Sequence, residues 1–95
     1  MSSSLRIEAE STGTAMVRLR LEGALDGGGA YLLRDRITLV GQPVIVDFSR
    51  LERLSDFGLG LLAMAIGEMD FEVQLVGLGH HAQRILRAFG IPLAA

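Results

Sequence analysis

The residues able to do chemistry are few, and most gather in one stretch: Asp47-Phe48-Ser49-Arg50-Leu51-Glu52-Arg53-Leu54-Ser55-Asp56-Phe57-Gly58-Leu59-Gly60. Carboxylates and hydroxyls lead there into a polar-to-glycine junction that opens an apolar run. A helix N-terminus leaves backbone N–H groups unpaired and carries partial positive charge, so a short oxygen-bearing side chain is expected at such a junction. Ser55 or Asp56 supplies that N-cap, and Gly58 and Gly60 let the helix approach its neighbours closely. Glycines at a helix start can also cradle phosphate. The phosphate-loop pattern requires a lysine, however, and the chain contains none.

The remaining reactive residues do not combine into a constellation. His80 and His81 are adjacent, so on a helix they diverge by about 100° and cannot ligate one ion as a facing pair. They read as exposed residues opening a last helix, and no metal site is assigned. Asp26 and Asp47 stand at strand ends, where they either flank a cleft or bond local backbone N–H groups. No serine–histidine or paired-carboxylate arrangement can be assembled from the spacing. No catalytic residue and no cofactor are assigned, and the chain reads as non-enzymatic.

The elements that position this stretch follow from periodicity. Leu5 to Ala9 reads as a short strand closed by Ser11-Thr12-Gly13. From Ala15 the pattern alternates, with Ala15, Val17, Leu19 and Leu21 on one face and Met16, Arg18, Arg20 and Glu22 on the other. Gly23 is expected to end that strand, and Asp26-Gly27-Gly28-Gly29 to form a flexible turn that starts a helix. Ala30, Leu33, Ile37 and Val40 give a helical stripe stopped by Gly41 and Pro43. Val44 to Phe48 is an apolar run broken by one carboxylate, as in a strand buried on both faces. Residues 49–54 read as a polar loop. A second helix runs from Gly58 to about Gly67 on Leu59, Leu62, Ala63 and Ile66, with Met64 and Met69 as core filler. Phe71 to Leu78 reads as a strand. Ala82, Ile85, Leu86 and Phe89 mark a last helix, terminated by Gly90 and Pro92. The order β-β-α-β-α-β-α implies an α/β fold with a mixed four-stranded sheet and about three helices.

Composition narrows the function. Ninety-five residues suit one domain, placed at residues 5–92 behind a short tail at residues 1–4. Hydrophobic residues make up 49% and charged residues 21%, which is a globular balance. The absence of cysteine excludes disulfides and thiolate metal sites, and with no signal-like N-terminus a cytoplasmic location is expected. No apolar run reaches the ~18 residues of a membrane span, so direct membrane insertion is not expected. The net charge of −2, scattered arginines and scarce aromatics disfavour nucleic acid.

The chain resembles the STAS domains, and among them the small single-domain anti-sigma-factor antagonists, over roughly residues 14–91. Leu21-Glu22-Gly23-Ala24-Leu25-Asp26 is similar to the family's strand-ending L-x-G-x-L-D. Asp47-Phe48-Ser49 with Leu51 and Leu54 matches D-L-S-x-V-x-x-I without a gap, Gly58-Leu59-Gly60 matches the glycines opening the regulatory helix, and Leu75-Val76-Gly77-Leu78 matches the last strand. Two departures stand out. The antagonists carry a phosphorylated serine just before the first glycine, where this chain has Phe57, and the segment from Gly60 to the last strand is about one helical turn shorter.

The resemblance implies a regulatory protein-interaction module. Its contact surface is the 55–60 loop and the following helix, with Asp26, Ser55, Asp56, Phe57, Gly58 and Gly60 as the residues concerned. The implied partner is an anti-sigma factor that is also a serine-kinase-like ATPase. The alternative is an accessory subunit gripping the ATPase of a membrane, lipid-transporting machine. Phosphorylation is not expected at Phe57, Ser55 is a weak substitute acceptor, and a homodimer is compatible with the sequence. If Phe57 anchors a partner, its ring should be at least partly exposed.

Overall fold

The computed structural model describes residues 5–91 and Leu93; the proposed tail at residues 1–4 and Pro92 lie outside the described residues. Strands β1 (Arg6–Ser11) and β2 (Val17–Leu25) form an antiparallel pair, with Arg6 opposite Glu22 and Glu10 opposite Arg18. Helix α1 (Gly27–Val40) crosses to β3 (Val44–Asp47), and helix α2 (Asp56–Gly67) crosses to β5 (Val73–Val76). Strands β2, β3 and β5 are mutually parallel in the order β1-β2-β3-β5, the expected mixed sheet. Both crossovers step the same way along the sheet, so their common handedness puts α1 and α2 on one face. Helix α3 (His80–Ala88) packs beside α2.

The core lies between that face and the helices. Period two along β2 buries Leu19, Leu21 and Leu25, and β3 adds Val44 and Val46. The helices meet them with Ala30, Leu33 and Ile37, then Leu59, Leu62 and Ala63, then Ala82 and Leu86. The stop expected after Val40 is present: Gly41 takes the left-handed conformation at φ 66°, and its N–H bonds the carbonyl of Ile37.

Two local expectations are corrected. Gly23 does not end β2; the strand continues to Leu25, with an irregular register between Gly23 and Ala24 of the kind a bulge produces. The presumed polar loop contains a fifth strand, β4 (Leu51–Leu54), which pairs in parallel with the far end of β2. As a result β2 and β4 finish side by side, and each leads directly into a helix.

Candidate functional site

That shared finish builds the junction. The Ser55 N–H donates to the carbonyl of Leu25 at 3.0 Å, tying the ends of β4 and β2 together. Asp26 then caps α1, its Oδ1 accepting from the Gly29 N–H at 2.8 Å. Ser55 caps α2, its Oγ accepting from the Gly58 N–H at 2.9 Å. Of the two residues proposed for this cap, Ser55 therefore serves, and Asp56 is the first residue of the helix. The glycine at 58 is dictated by contact: a Cβ there would lie 2.7 Å from the Asp26 carbonyl oxygen. No such approach is open to a larger residue without moving backbone.

Displaced from capping, the Asp56 carboxylate points outward and meets His81 Nε2 at 3.0 and 3.2 Å. Both side chains are largely exposed. The carboxylate also sits where the α2 dipole favours negative charge.

Phe57 is 72% exposed. Its ring lies against the first turn of α1, where a Cβ on Gly27 would come within 2.9 Å of its Cε2. Beside it, Phe57, Gly60, Leu61, Met64 and Phe89 line an apolar groove with Asp56 at one end. Leu61 and Met64 also line a second depression toward α1, shared with Tyr31 and Arg34. Met64, expected as core filler, is 63% exposed, whereas Met69 packs against the core. Phe89, part of the apolar stripe of α3, is half exposed as well.

The fold brings Asp26 against the Ser55, Asp56, Phe57, Gly58 and Gly60 segment that the sequence singled out. Leu61, Met64, Phe89 and His81 lie beside that segment and were not grouped with it from the sequence. A signal for the first two was present: from Phe57 to Gly67 there is no charged residue, so α2 is apolar on both its core and outer sides. A surface helix would ordinarily show a polar face.

Asp47 does not join this site. Its Oδ1 accepts from the Ser49 N–H at 2.9 Å and its Oδ2 from Arg18 Nη1 at 2.9 Å. Burial pushes this carboxyl up, but the hydrogen bonds from Ser49 and the Arg18 guanidinium outweigh it and hold it below the usual carboxylate range. Asp26 and Asp47 both serve local structure, each accepting from a backbone N–H two or three residues on. Among the described residues no three His, Asp or Glu side chains gather as a metal would need. No described helix is long and apolar enough to cross a membrane.

The family model described as "Mlab, STAS domain" matches residues 8–92. An anti-sigma factor antagonist from Mycobacterium paratuberculosis superposes with a TM-score of 0.69 at 22% identity, over 95% of this chain and 85% of that one. The anti-sigma factor antagonist SpoIIAA in its unphosphorylated form gives 0.65 at 19% identity, over 95% and 89%. The phosphorylated form of the Bacillus cell fate determinant SpoIIAA gives 0.65 at 21% identity, over 95% and 92%. These likenesses establish the fold. No protein with a curated description matches the sequence.

Proposed function

The chain belongs to the STAS domain family, and on that premise we propose that it is a regulatory protein-interaction module docking through the Ser55–Gly60 junction and the outer face of α2. The observation that carries this reading is the exposed apolar pair Phe57 and Met64, with half-buried Leu61 between them and Phe89 beside them. Large exposed apolar patches on a small domain mark interaction sites. The partner is an anti-sigma factor of the serine-kinase-like ATPase type, by likeness to the antagonists of the same fold. Asp26, Ser55, Gly58 and Gly60 act as positioning residues, since they fix the two helix starts that hold Phe57 in place. Phe57 and Asp56 make the contact.

The domain is not switched by phosphate at position 57, because a phenyl ring has no hydroxyl. The hydroxyl of Ser55 is engaged as the cap of α2. This permanence favours a second reading, in which the domain is a standing accessory subunit on the ATPase of a membrane transport complex. A phosphorylatable contact suits a partner that must leave; an aromatic contact suits one that stays.

Affinity capture from the source cell, with Phe57→Ser as control, tests the proposal. A kinase-like ATPase retained by the wild type and lost by the variant supports the regulator, and a transporter ATPase supports the subunit. Equal retention by both proteins would refute docking at Phe57. Intact mass after incubation with the captured kinase and ATP should show no added phosphate, and a phosphate mapped to Ser55 would refute the unswitched state.

A further inference from the structure

The docking reading above leaves open what kind of segment fills the groove, and its walls are chemically unlike each other. The α2 wall is uncharged from Phe57 to Gly67. Phe89, the C-cap of α3, closes the groove against α2, and His81, Arg84, Ile85 and Ala88 line a second depression farther along α3. Helix α3 contains two arginines, two histidines and no carboxylate. Arg84 is exposed and has no carboxylate partner among the described residues. The carboxylate reaching this wall, Asp56, is engaged with His81 at one end of the groove.

From this asymmetry we infer that the α2/α3 groove receives an amphipathic helix of a partner protein carrying carboxylates along the flank that faces Arg84. A groove between two packed helices takes the side-chain ridge of a third, anchored at positions i, i+3, i+4 and i+7. The twelve residues of α2 give it a length of about 18 Å, or some three turns of guest helix. The apolar anchors supply the contact, and the carboxylates fix orientation and select against basic helices. A second copy of this chain fits poorly. Antiparallel α2 on α2 about a two-fold axis would set Asp56 of one copy toward Glu68 of the other, and the cationic α3 walls toward each other.

Two synthetic helical peptides of about 18 residues test this, long enough to hold helix in solution. Both carry the same leucine stripe; one is flanked on one side by glutamates and the other by lysines. The glutamate peptide should bind about tenfold or more tightly, and the gap should shrink at about 1 M salt, where the Debye length falls to about 3 Å. Arg84→Glu should reverse the preference without unfolding the domain, checked by circular dichroism. Equal affinities that are both lost with Phe57→Ser would refute the charge selection while leaving the docking reading intact. Equal affinities unaffected by Phe57→Ser would refute both. Binding of neither peptide, a dimer of the chain alone that Phe57→Asp dissolves, or binding to phosphatidylglycerol vesicles with no peptide preference would each overturn the acidic-helix occupant.

Discussion

On the uncovered side of the sheet, Arg20 meets Glu10 at 3.0 Å, Arg18 lies between Glu10 and Asp47, and Arg6 meets Glu22 at 2.9 Å. The cross-strand register sets arginine opposite glutamate at each of these steps of the β1–β2 pair. On the opposite side of the molecule, the outer surface of the helix layer exposes Phe57, Met64 and Phe89, and Arg84 there has no carboxylate partner among the described residues. Both faces meet solvent in the isolated chain, yet the sheet face pairs most of its charges internally and the helix face leaves apolar surface uncovered. A face that is chemically complete has little to gain from a partner. The incomplete face is the one with free energy to gain on being covered.

The most severe way to break this contrast is at Gly58, on which the presentation of the helix face depends. A Cβ there would press on the backbone of Asp26 at 2.7 and 2.8 Å, which a rotamer change cannot relieve. Gly58→Ala should destabilise the fold by about 3 kcal/mol, read by urea titration. A loss below about 0.5 kcal/mol would show that α1 and α2 separate easily and that the junction is not rigid.

Next in size is the anchor itself. Phe57→Ser should weaken partner binding by about ten- to a hundredfold, the worth of burying one phenyl ring. Folding stability should hardly change, since the ring is 72% exposed in the isolated chain. Arg20→Gln on the sheet face should leave partner affinity unaltered. If instead Arg20→Gln weakens capture and Phe57→Ser does not, the two faces have been assigned the wrong way round.

The contrast between the faces also explains what the sequence could and could not disclose. Strand β2 was legible because Val17 to Leu21 alternates between a buried face and a charged one, and α1 because Ala30, Leu33 and Ile37 repeat with helical period. Strand β4 was not: Leu51-Glu52-Arg53-Leu54 has no alternation, and its strand character comes from backbone pairing with Gly23, Ala24 and Leu25. The same pairing carries β2 past Gly23, which read locally as a stop. The Asp56–His81 contact joins residues 25 apart and depends on how α3 packs on α2. Exposure of Met64 and Phe89 was hidden for a related reason, since an apolar residue in a helical stripe is indistinguishable from core until the number of covering layers is known.

A smaller effect sharpens the capping assignment at the boundary of the helix face. Ser55→Ala removes the acceptor for the Gly58 N–H and should cost about 1 kcal/mol of stability. Asp56→Asn should cost less, because the carboxylate contributes a surface contact with His81 and a charge–dipole term. Denaturant titration of both variants decides the ranking, and a larger loss from Asp56→Asn would return the capping role to Asp56.

The smallest effect lies on the sheet face, and it fades with acid. Asp47 is held below its ordinary value in the folded chain by the Ser49 and Arg18 hydrogen bonds. In the unfolded chain the same carboxyl titrates near the model-peptide value of about 3.9. Between those two values the unfolded state binds more protons, so stability rises with pH through that window. The stabilisation is fully present above the unfolded value and is lost as pH falls through the folded one. Asp47→Asn keeps an oxygen for the Ser49 N–H but cannot pair with Arg18, whose partial exposure lets solvent screen the lost charge. Near neutrality the variant should therefore be only slightly less stable than the wild type. Below pH about 4, where the wild type surrenders the same interaction, the two stability curves should converge. Parallel curves across the acid limb would mean that Asp47 is not held low, and that the ionic finish of the sheet face contributes less than its geometry implies.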